Sequence, residues 1–137
     1  MATGPTIESV MTPYPYSIDI DDHVSSAKTA LVQYKIRHPP VKEGDKLVGV
    51  ITARDIDMAI NCGVDTSVGS DVRVRKLCNK HVYVVAPGET LVAVLNYMAD
   101  HYIGSALIVR DGKLKGIFTF TDACRYCVGL LTGEKRA

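Results

Sequence analysis

The sequence Lys46-Leu47-Val48-Gly49-Val50-Ile51-Thr52-Ala53-Arg54-Asp55 returns as Lys113-Leu114-Lys115-Gly116-Ile117-Phe118-Thr119-Phe120-Thr121-Asp122. Five of the ten positions are identical, and two more exchange one apolar side chain for another. The offset of 67 residues, from Lys46 to Lys113, continues without a gap back to Tyr16 and Tyr83. A repeat of this length predicts two copies of one supersecondary unit, each too small to bury its apolar face alone. We therefore expect the copies to pack on each other, with a ligand in the crevice between them.

The composition predicts a small globular protein. The chain has 137 residues, of which 47% are hydrophobic, and a formal net charge of +1. The lack of a basic excess argues against nucleic acid and against an anionic membrane surface as partners. The apolar runs are far shorter than a membrane span, and the first residues do not resemble a signal peptide. Four cysteines do not make a disulfide framework, so we expect reduced thiols and a cytoplasmic location.

Each copy is predicted to contain a strand, a helix, two strands and a helix, which makes the fold class α+β. The predicted elements of the first copy are a strand at 16–20, a helix at about 24–35 capped by Asp21 and Asp22, strands at 41–42 and 47–51, and a helix from Thr52 to Gly63. Those of the second copy are a strand at 82–85, a helix bearing Leu91, Val94, Leu95, Met98 and Tyr102, strands at 106–110 and 114–118 around an Asp111-Gly112 turn, and a helix from Thr119 to about Gly133.

The chain outside these elements is assigned to a tail and a linker. Residues 1–9 show no periodicity and are predicted to be a tail. Residues 64–76 are rich in Ser, Asp and Gly and are predicted to be the linker. The first repeat is thus placed at about 10–63 and the second at about 77–131, within a single module.

The Thr-x-x-Asp sequence that closes each copy has two interpretations. A threonine followed three residues later by an acid forms a capping box, which starts a helix whatever the function. The same helix N-terminus offers free amides and a positive dipole end to a phosphate. The threonine adds a hydroxyl donor, and the aspartate can accept hydrogen bonds from both hydroxyls of a ribose. The two interpretations are compatible, because the cap would build the binding site.

Two copies of Gly-apolar-apolar-Thr-x-x-Asp, each after the same order of elements, resemble a tandem pair of cystathionine-β-synthase (CBS) domains, the Bateman module. Further matching sequences are Val10-Met11-Thr12-Pro13 before the first copy and Ile103-Gly104-Ser105-Ala106-Leu107 before the second hairpin. The resemblance covers about residues 10–131. It implies two units related by a pseudo-twofold axis with their sheets in contact, adenosine compounds bound in the interface clefts, and dimerisation of the module.

The resemblance also implies which residues would bind the ligand. The aspartate of one unit would work with the first strand and the pre-hairpin segment of the other. One predicted site therefore combines Thr52, Arg54 and Asp55 with Tyr83, Val84, Ile103, Gly104 and Ser105. The other combines Thr119, Thr121 and Asp122 with Tyr16, Ser17, Ile36, Arg37 and His38. For the tyrosines and isoleucines, ordinary core packing is the alternative.

The two predicted sites are not equivalent. Arg54 lies inside the first Thr-x-x-Asp, and Thr121 occupies the equivalent position of the second. The first site therefore has the stronger phosphate-binding side chain. His38 and the two prolines after it are bulkier than Gly104 and the residues that follow. We therefore predict that the site around Asp55 binds nucleotide more strongly than the site around Asp122.

Two sequence features allow other interpretations. Cys124 and Cys127 have Cys-x-x-Cys spacing, which is compatible with redox chemistry or a partial metal site, but we expect both to be buried as small apolar side chains. Four basic residues lie at the end of the linker or just after it, and they are either solvated or reach the phosphates of a ligand. They are Arg73, Arg75, Lys76 and Lys80.

The sequence as a whole predicts a regulatory module that senses an adenine nucleotide (AMP, ADP or ATP) and passes its occupancy to an unidentified regulated protein. We find no nucleophile–base pair, no metal-ligand set and no phosphate loop of the P-loop type, so we predict neither an enzyme nor a catalytic cofactor. Exposed apolar positions on the closing helices predict a homodimer; they are Met58, Ile60, Val128, Leu130 and Leu131. The alternatives are a structural dimerisation module with empty clefts and a thiol-redox protein that uses Cys124 and Cys127.

Overall fold

The chain forms two structural units whose residues are interleaved. The computed structural model describes residues 4–133. Residues 16–82 form one unit, here called the contiguous unit. Residues 83 onward form the second unit together with the N-terminal residues up to Pro15, and we call this the split unit.

The described residues contain both helices and strands, which confirms the α+β class. In chain order the elements are α1 (Ile7–Val10), β1 (Thr12–Pro13), β2 (Ile18–Asp19), α2 (Val24–Gln33), β3 (Pro40–Glu43), β4 (Lys46–Val50), α3 (Ala53–Asn61), α4 (Val74–Leu77), β5 (Val84–Val85), α5 (Leu91–His101), β6 (Ser105–Arg110), β7 (Lys113–Thr119) and α6 (Phe120–Thr132).

The contiguous unit is a three-stranded sheet covered by helices. Strand β2 pairs in parallel with β3, and β3 pairs antiparallel with β4. The segment after α4 adds a short antiparallel bridge to β4, between Asn79 and Val50. Apolar side chains from all these elements form one buried core, consisting of Ile18, Ile20, Val24, Ala27, Leu31, Val41, Ile51, Ile56 and Val74.

The split unit has the same arrangement with different chain continuity. Strand β5 pairs in parallel with β6, and β6 pairs antiparallel with β7 through a turn at Asp111 and Gly112. Both turn residues have positive φ, as the predicted two-residue hairpin requires. Strand β1 comes from the N-terminal segment and pairs antiparallel with β7. The core consists of Ile7, Val85, Leu91, Val94, Met98, Ala106, Ile108 and Phe118.

The repeat extends further toward the N-terminus than the sequence prediction placed it. Helix α1 lies 67 positions before α4, and Thr12 lies 67 positions before Asn79. Thr12 is opposite Ile117 on β7, just as Asn79 is opposite Val50 on β4. The prediction of a tail at 1–9 is therefore wrong for the described residues from Ile7 onward, because Ile7 is fully buried in the split unit's core.

Several local predictions are corrected. Helix α2 begins after His23, and no side chain caps it, so Asp21 and Asp22 are not its cap; Val24 N–H donates instead to the carbonyl oxygen of Val72. The last residues of the predicted linker belong to α4, and strands β2 and β5 are only two residues long. The helical spacing also predicts one apolar face formed by Val24, Ala27, Leu31 and Tyr34 on the first helix, but Tyr34 is exposed, as are Leu95 and Tyr102 of the second predicted face.

The repeated glycine of each copy allows a neighbouring chain segment to approach its strand. A Cβ atom at Gly49 would lie 2.5 Å from the carbonyl oxygen of Asn79. A Cβ atom at Gly116 would collide with the side chain of Met11. The segment after α4 can therefore pair with β4 only because Gly49 lacks a side chain, whereas at Gly116 the flexible Met11 side chain fills the space beside β7.

Candidate functional site

The first Thr-x-x-Asp lies where β4 ends and α3 begins. Thr52 is the N-cap residue, and its Oγ1 accepts a hydrogen bond of 3.1 Å from the amide of Asp55. Asp55 Oδ2 accepts hydrogen bonds from the Thr52 amide at 2.8 Å and from the Thr52 hydroxyl at 3.0 Å. The predicted capping box is confirmed, and it holds the half-buried Asp55 carboxylate beside the helix N-terminus.

The second Thr-x-x-Asp forms the same cap between β7 and α6. Thr119 Oγ1 accepts a hydrogen bond of 3.3 Å from the Asp122 amide. Asp122 Oδ2 accepts hydrogen bonds from the Thr119 amide at 2.9 Å and from its hydroxyl at 3.1 Å. Both copies therefore present a threonine, an aspartate and the first amides of a helix in matching geometry.

The two carboxylates differ in their remaining oxygen. Asp122 Oδ1 accepts a hydrogen bond of 3.2 Å from the hydroxyl of Thr12. Asp55 Oδ1 accepts no hydrogen bond from any residue of 4–133. The sequence prediction did not include Thr12 in the site, although the 67-residue offset aligns it with Asn79 and so could have shown that the copies differ here.

Arg54 and Thr121 occupy equivalent positions and are both exposed. Within residues 4–133, Arg54 forms neither an ion pair nor a side-chain hydrogen bond, so its guanidinium is available to an anion. Thr121 offers only a neutral hydroxyl. The predicted difference in phosphate-binding groups therefore corresponds to a real difference in the exposed surface of the two helix N-termini.

Close to Asp55, the pre-hairpin segment of the contiguous unit contributes His38. Burial and the neighbouring Arg37 cation lower the pKa of His38 below its ordinary value, while the carboxylate of Asp55 acts in the opposite direction. The imidazole is therefore neutral at pH 7, with one donor and one acceptor nitrogen. The exposed Arg37 adds a second cation to this end of the unit, and Ile36 packs against the unit's core.

The corresponding segment of the split unit also lies beside its own cap. Ser105 is opposite Thr119 in the β6–β7 ladder. The amide of Phe120 donates a 3.1 Å hydrogen bond to the carbonyl oxygen of Gly104, and Ile103 just before it is half-buried. The structure thus brings Ile103, Gly104 and Ser105 to the end of the unit that carries Thr119 and Asp122.

The predicted tyrosines stand at the start of the first strand of each unit. The carbonyl oxygen of Tyr83 accepts a 2.9 Å hydrogen bond from the Leu107 amide, so it is engaged in the sheet. The Tyr83 ring stacks on Tyr97, with 4.1 Å between centroids. Tyr16 is 4.9 Å from Tyr34 by the same measure. Val84, after Tyr83, is exposed, and Ser17, after Tyr16, is half-buried.

Two of the basic residues at the end of the predicted linker form ion pairs within the contiguous unit. Arg75 forms ion pairs with Asp21 at 3.1 Å and Glu43 at 2.8 Å, and the hydrogen bonds to these carboxylates raise its pKa. Arg73 pairs with Asp71 at 3.2 Å. Their positive charges are thus largely compensated by neighbouring carboxylates, which favours the interpretation of a solvated surface segment.

The prediction that Cys124 and Cys127 are buried is wrong. Both side chains are exposed on α6, because this helix turns Ala123 and Tyr126 toward the core. Cys78 is half-buried, and this burial raises the pKa of its thiol. In the part of the chain that the structure describes, no three His, Cys, Asp or Glu side chains are grouped as metal ligands would be. The helices there are all too short or too polar to cross a membrane.

Comparisons with known proteins agree with the repeat. The family model described as "CBS domain" matches residues 7–61 and again 74–129. A putative acetoin utilization protein (AcuB) from Vibrio cholerae superposes with a TM-score of 0.84 at 27% identity, over 95% of each chain. CBSX2, whose structure is a complex with AMP, superposes with a TM-score of 0.80 at 24% identity, over 93% of this chain and 98% of that one.

A longer relative contains the same module as one part. Inosine-5'-monophosphate dehydrogenase of Staphylococcus haemolyticus is 26% identical over 112 residues, which are 79% of this chain and 21% of that protein. The chain thus spans about a fifth of the length of this curated relative. Because the family model matches twice and together covers most of the residues, the chain belongs to the CBS domain family and carries a tandem pair of CBS domains.

Proposed function

We propose that this CBS pair is a regulatory module that binds an adenine nucleotide, with Asp55 as its ribose ligand. The observation that carries the proposal is the Asp55 carboxylate itself. Its Oδ2 is fixed by the Thr52 cap, while its Oδ1 has no donor among residues 4–133. An ionised carboxylate oxygen beside a helix N-terminus is a strong acceptor for the vicinal hydroxyls of a ribose.

The surrounding groups suit the rest of a nucleotide. Arg54 is an exposed cation one residue before Asp55, and the free amides at the start of α3 favour a phosphate. The AMP bound to CBSX2, which shares this fold, supports the choice of an adenine nucleotide. The contribution of the other unit's residues, Tyr83, Val84 and 103–105, stays a prediction from the family resemblance.

We infer a sensing role rather than catalysis. The chain corresponds to a fifth of a dehydrogenase of the same family, so a module of this kind also exists joined to an enzyme. We propose that this module passes its nucleotide occupancy to a regulated protein. The site described above provides ligand-binding groups, and none of them is paired as a nucleophile and its base.

A thermal-shift panel of AMP, ADP, ATP, S-adenosylmethionine and NAD tests the proposed function. A ligand at 100 times its Kd stabilises the folded protein by about 2.7 kcal/mol, which corresponds to several degrees in Tm. We expect a selective shift with one or more of the adenine nucleotides and none with inorganic phosphate. A panel in which no adenosine compound shifts the melting temperature would leave the structural dimerisation module as the better interpretation.

We predict that the protein is a homodimer through apolar side chains exposed on α3 and on α6. Met58 and Ile60 are exposed on α3, and Val128, Leu130 and Leu131 on α6. Light scattering should give about twice the chain mass of 14.9 kDa at micromolar concentration. Introducing a charge with Leu131→Asp should produce monomers, since a buried unpaired charge is costly.

A matched control tests whether dimerisation depends on α3 and α6 or is disrupted by a charge at any exposed apolar position. Val68 is as exposed as Leu131 but lies outside both helices. Val68→Asp should leave the mass unchanged. A native protein that is monomeric at every concentration, with and without nucleotide, would contradict the dimer.

We predict that the exposed thiols are dispensable for binding. Cys124→Ser with Cys127→Ser should change nucleotide affinity by less than about twofold and stability by less than about 0.5 kcal/mol, as is usual for surface positions. Cys78→Ser should be more harmful, because that thiol is half-buried against the core of the contiguous unit. Calorimetry and urea denaturation measure both quantities. Loss of a bound metal or of a peroxide response in the double variant would support the redox alternative.

A further inference from the structure

The carboxylates of Asp55 and Asp122 accept different numbers of hydrogen bonds from the rest of the protein. In each, Oδ2 accepts hydrogen bonds from the amide and the hydroxyl of the N-cap threonine. Among residues 4–133, Asp122 has a third donor and Asp55 does not: the Thr12 hydroxyl is 3.2 Å from Asp122 Oδ1. The difference therefore lies entirely in the oxygen that faces away from the cap.

Strand pairing fixes which residue occupies the position of Thr12 in each unit. Thr12 is fixed opposite Ile117 on β7, and its neighbour Pro13 is opposite Gly116. At the equivalent position of the contiguous unit, Asn79 is fixed opposite Val50. The Asn79 side-chain carbonyl accepts a 2.9 Å hydrogen bond from the His81 amide, and within residues 4–133 Asn79 donates no hydrogen bond to Asp55. The two positions correspond in the repeat and in their strand partners, and they carry different side chains.

We propose that Thr12 is a specificity-determining residue that occupies the sugar-binding oxygen of Asp122 and thereby directs nucleotide to Asp55. This inference rests on the proposed function. It adds a cause for unequal sites that is independent of the phosphate-binding difference between Arg54 and Thr121.

The chemistry of the carboxylate supports this role. Each carboxylate oxygen has two lone pairs, and the cap uses both of those on Oδ2. Asp55 Oδ1 therefore keeps two acceptor positions, which is the number that the two hydroxyls of a ribose require. Asp122 Oδ1 keeps one, and the Thr12 side chain stands beside it. A ribose that places both of its hydroxyls on Asp122 Oδ1 must displace the hydrogen bond from Thr12, which we expect to weaken binding about tenfold.

The test measures adenosine binding at Asp122 after the other site has been removed. Adenosine is the probe because it has no phosphate and so does not depend on Arg54. In the Asp55→Asn protein, calorimetry should detect weak binding. Adding Thr12→Val, which keeps the shape and removes the hydroxyl, should strengthen that binding about tenfold. Thr12→Ser, which keeps the donor, should leave it weak.

A reciprocal substitution tests the inference with Asp55 intact. Asn79→Thr places a hydroxyl at the equivalent strand position and should weaken adenosine binding to the otherwise native protein several-fold. In an Asp122→Asn background, Thr12→Val should have no effect on adenosine affinity, because Thr12 acts only through Asp122.

The outcomes separate this inference from the proposed function. Native protein that binds adenosine, together with a Thr12→Val variant that binds no tighter in the Asp55→Asn background, would overturn the role of Thr12 alone. Weaker binding in that variant would overturn it too, and would show that the hydroxyl contacts the ligand. Native protein that binds no adenosine compound would overturn both.

Discussion

Arg54→Ala should weaken AMP binding about 10–100-fold and adenosine binding much less. Arg54 is exposed at the start of α3 and has no ion-pair partner among residues 4–133, so its removal leaves the protein's own contacts intact. A charge-assisted hydrogen bond to phosphate is among the stronger polar interactions, and its loss accounts for a decrease in affinity of about 10–100-fold. The AMP affinity of the variant should also depend less on salt, because a screened charge has been removed. Calorimetry of both ligands measures the effect.

The matched control is Thr121→Ala at the equivalent position of α6. It should change AMP affinity by less than about threefold, since Thr121 has no charge to offer. Asp55→Asn should weaken AMP and adenosine alike, because both contain the ribose. Equal losses of AMP and adenosine in Arg54→Ala would show that the arginine supports the fold rather than binding phosphate.

Gly49→Ala should lower the free energy of unfolding by about 3 kcal/mol and the Tm by about 10 °C. The new Cβ would lie 2.5 Å from the carbonyl oxygen of Asn79 and 3.2 Å from its carbonyl carbon, and backbone atoms cannot turn aside. Asn79 exchanges two backbone hydrogen bonds with Val50, of 2.8 and 3.0 Å. Moving the segment away would break both and leave their polar groups unsatisfied. Urea denaturation measures the loss.

Two other glycines provide the comparison. A Cβ at Gly116 meets only the side chain of Met11, which can adopt another rotamer, so Gly116→Ala should cost about 1 kcal/mol. Gly88 has no atom near its virtual Cβ, and its φ is not positive, so Gly88→Ala should be neutral or slightly stabilising. If Gly49→Ala proved as mild as Gly88→Ala, the close approach of Asn79 would not be a constraint on the fold.

Local sequence signals predicted much of the fold. Thr52 and Thr119 cap their helices as the capping-box spacing indicated, and Asp111 with Gly112 forms the expected hairpin turn. These features depend on residues within three or four positions of each other. The order of strands and helices in each copy followed from the periodicity and the repeat, and the structure confirms it from β2 to α3 and from β5 to α6.

Predictions that depended on distant contacts were less successful. Helix α1 has only four residues, too few to show periodicity, and Ile7 is buried by residues of a segment that begins at Tyr83. Cys124 and Cys127 look apolar in sequence, but α6 buries Ala123, Tyr126 and Gly129 along its length. For the same reason the cap geometry of the candidate site was predictable, whereas the hydrogen bond from Thr12 to Asp122 was not.

The interleaving of the two units sets the order in which they can be completed during synthesis. The contiguous unit has all of its strands once Val82 has left the ribosome, and its ion pair between Arg75 and Asp21 spans only 54 positions. In the split unit, α1 and β1 are synthesised long before the residues they pack against, because Thr12 and Asp122 are 110 positions apart. Until β7 emerges, Ile7 has no core to enter and β1 has no partner strand. The segment that carries α1 and β1 is thus more exposed to mispairing than the contiguous unit, and closing this long loop is expected to be the slower step of folding.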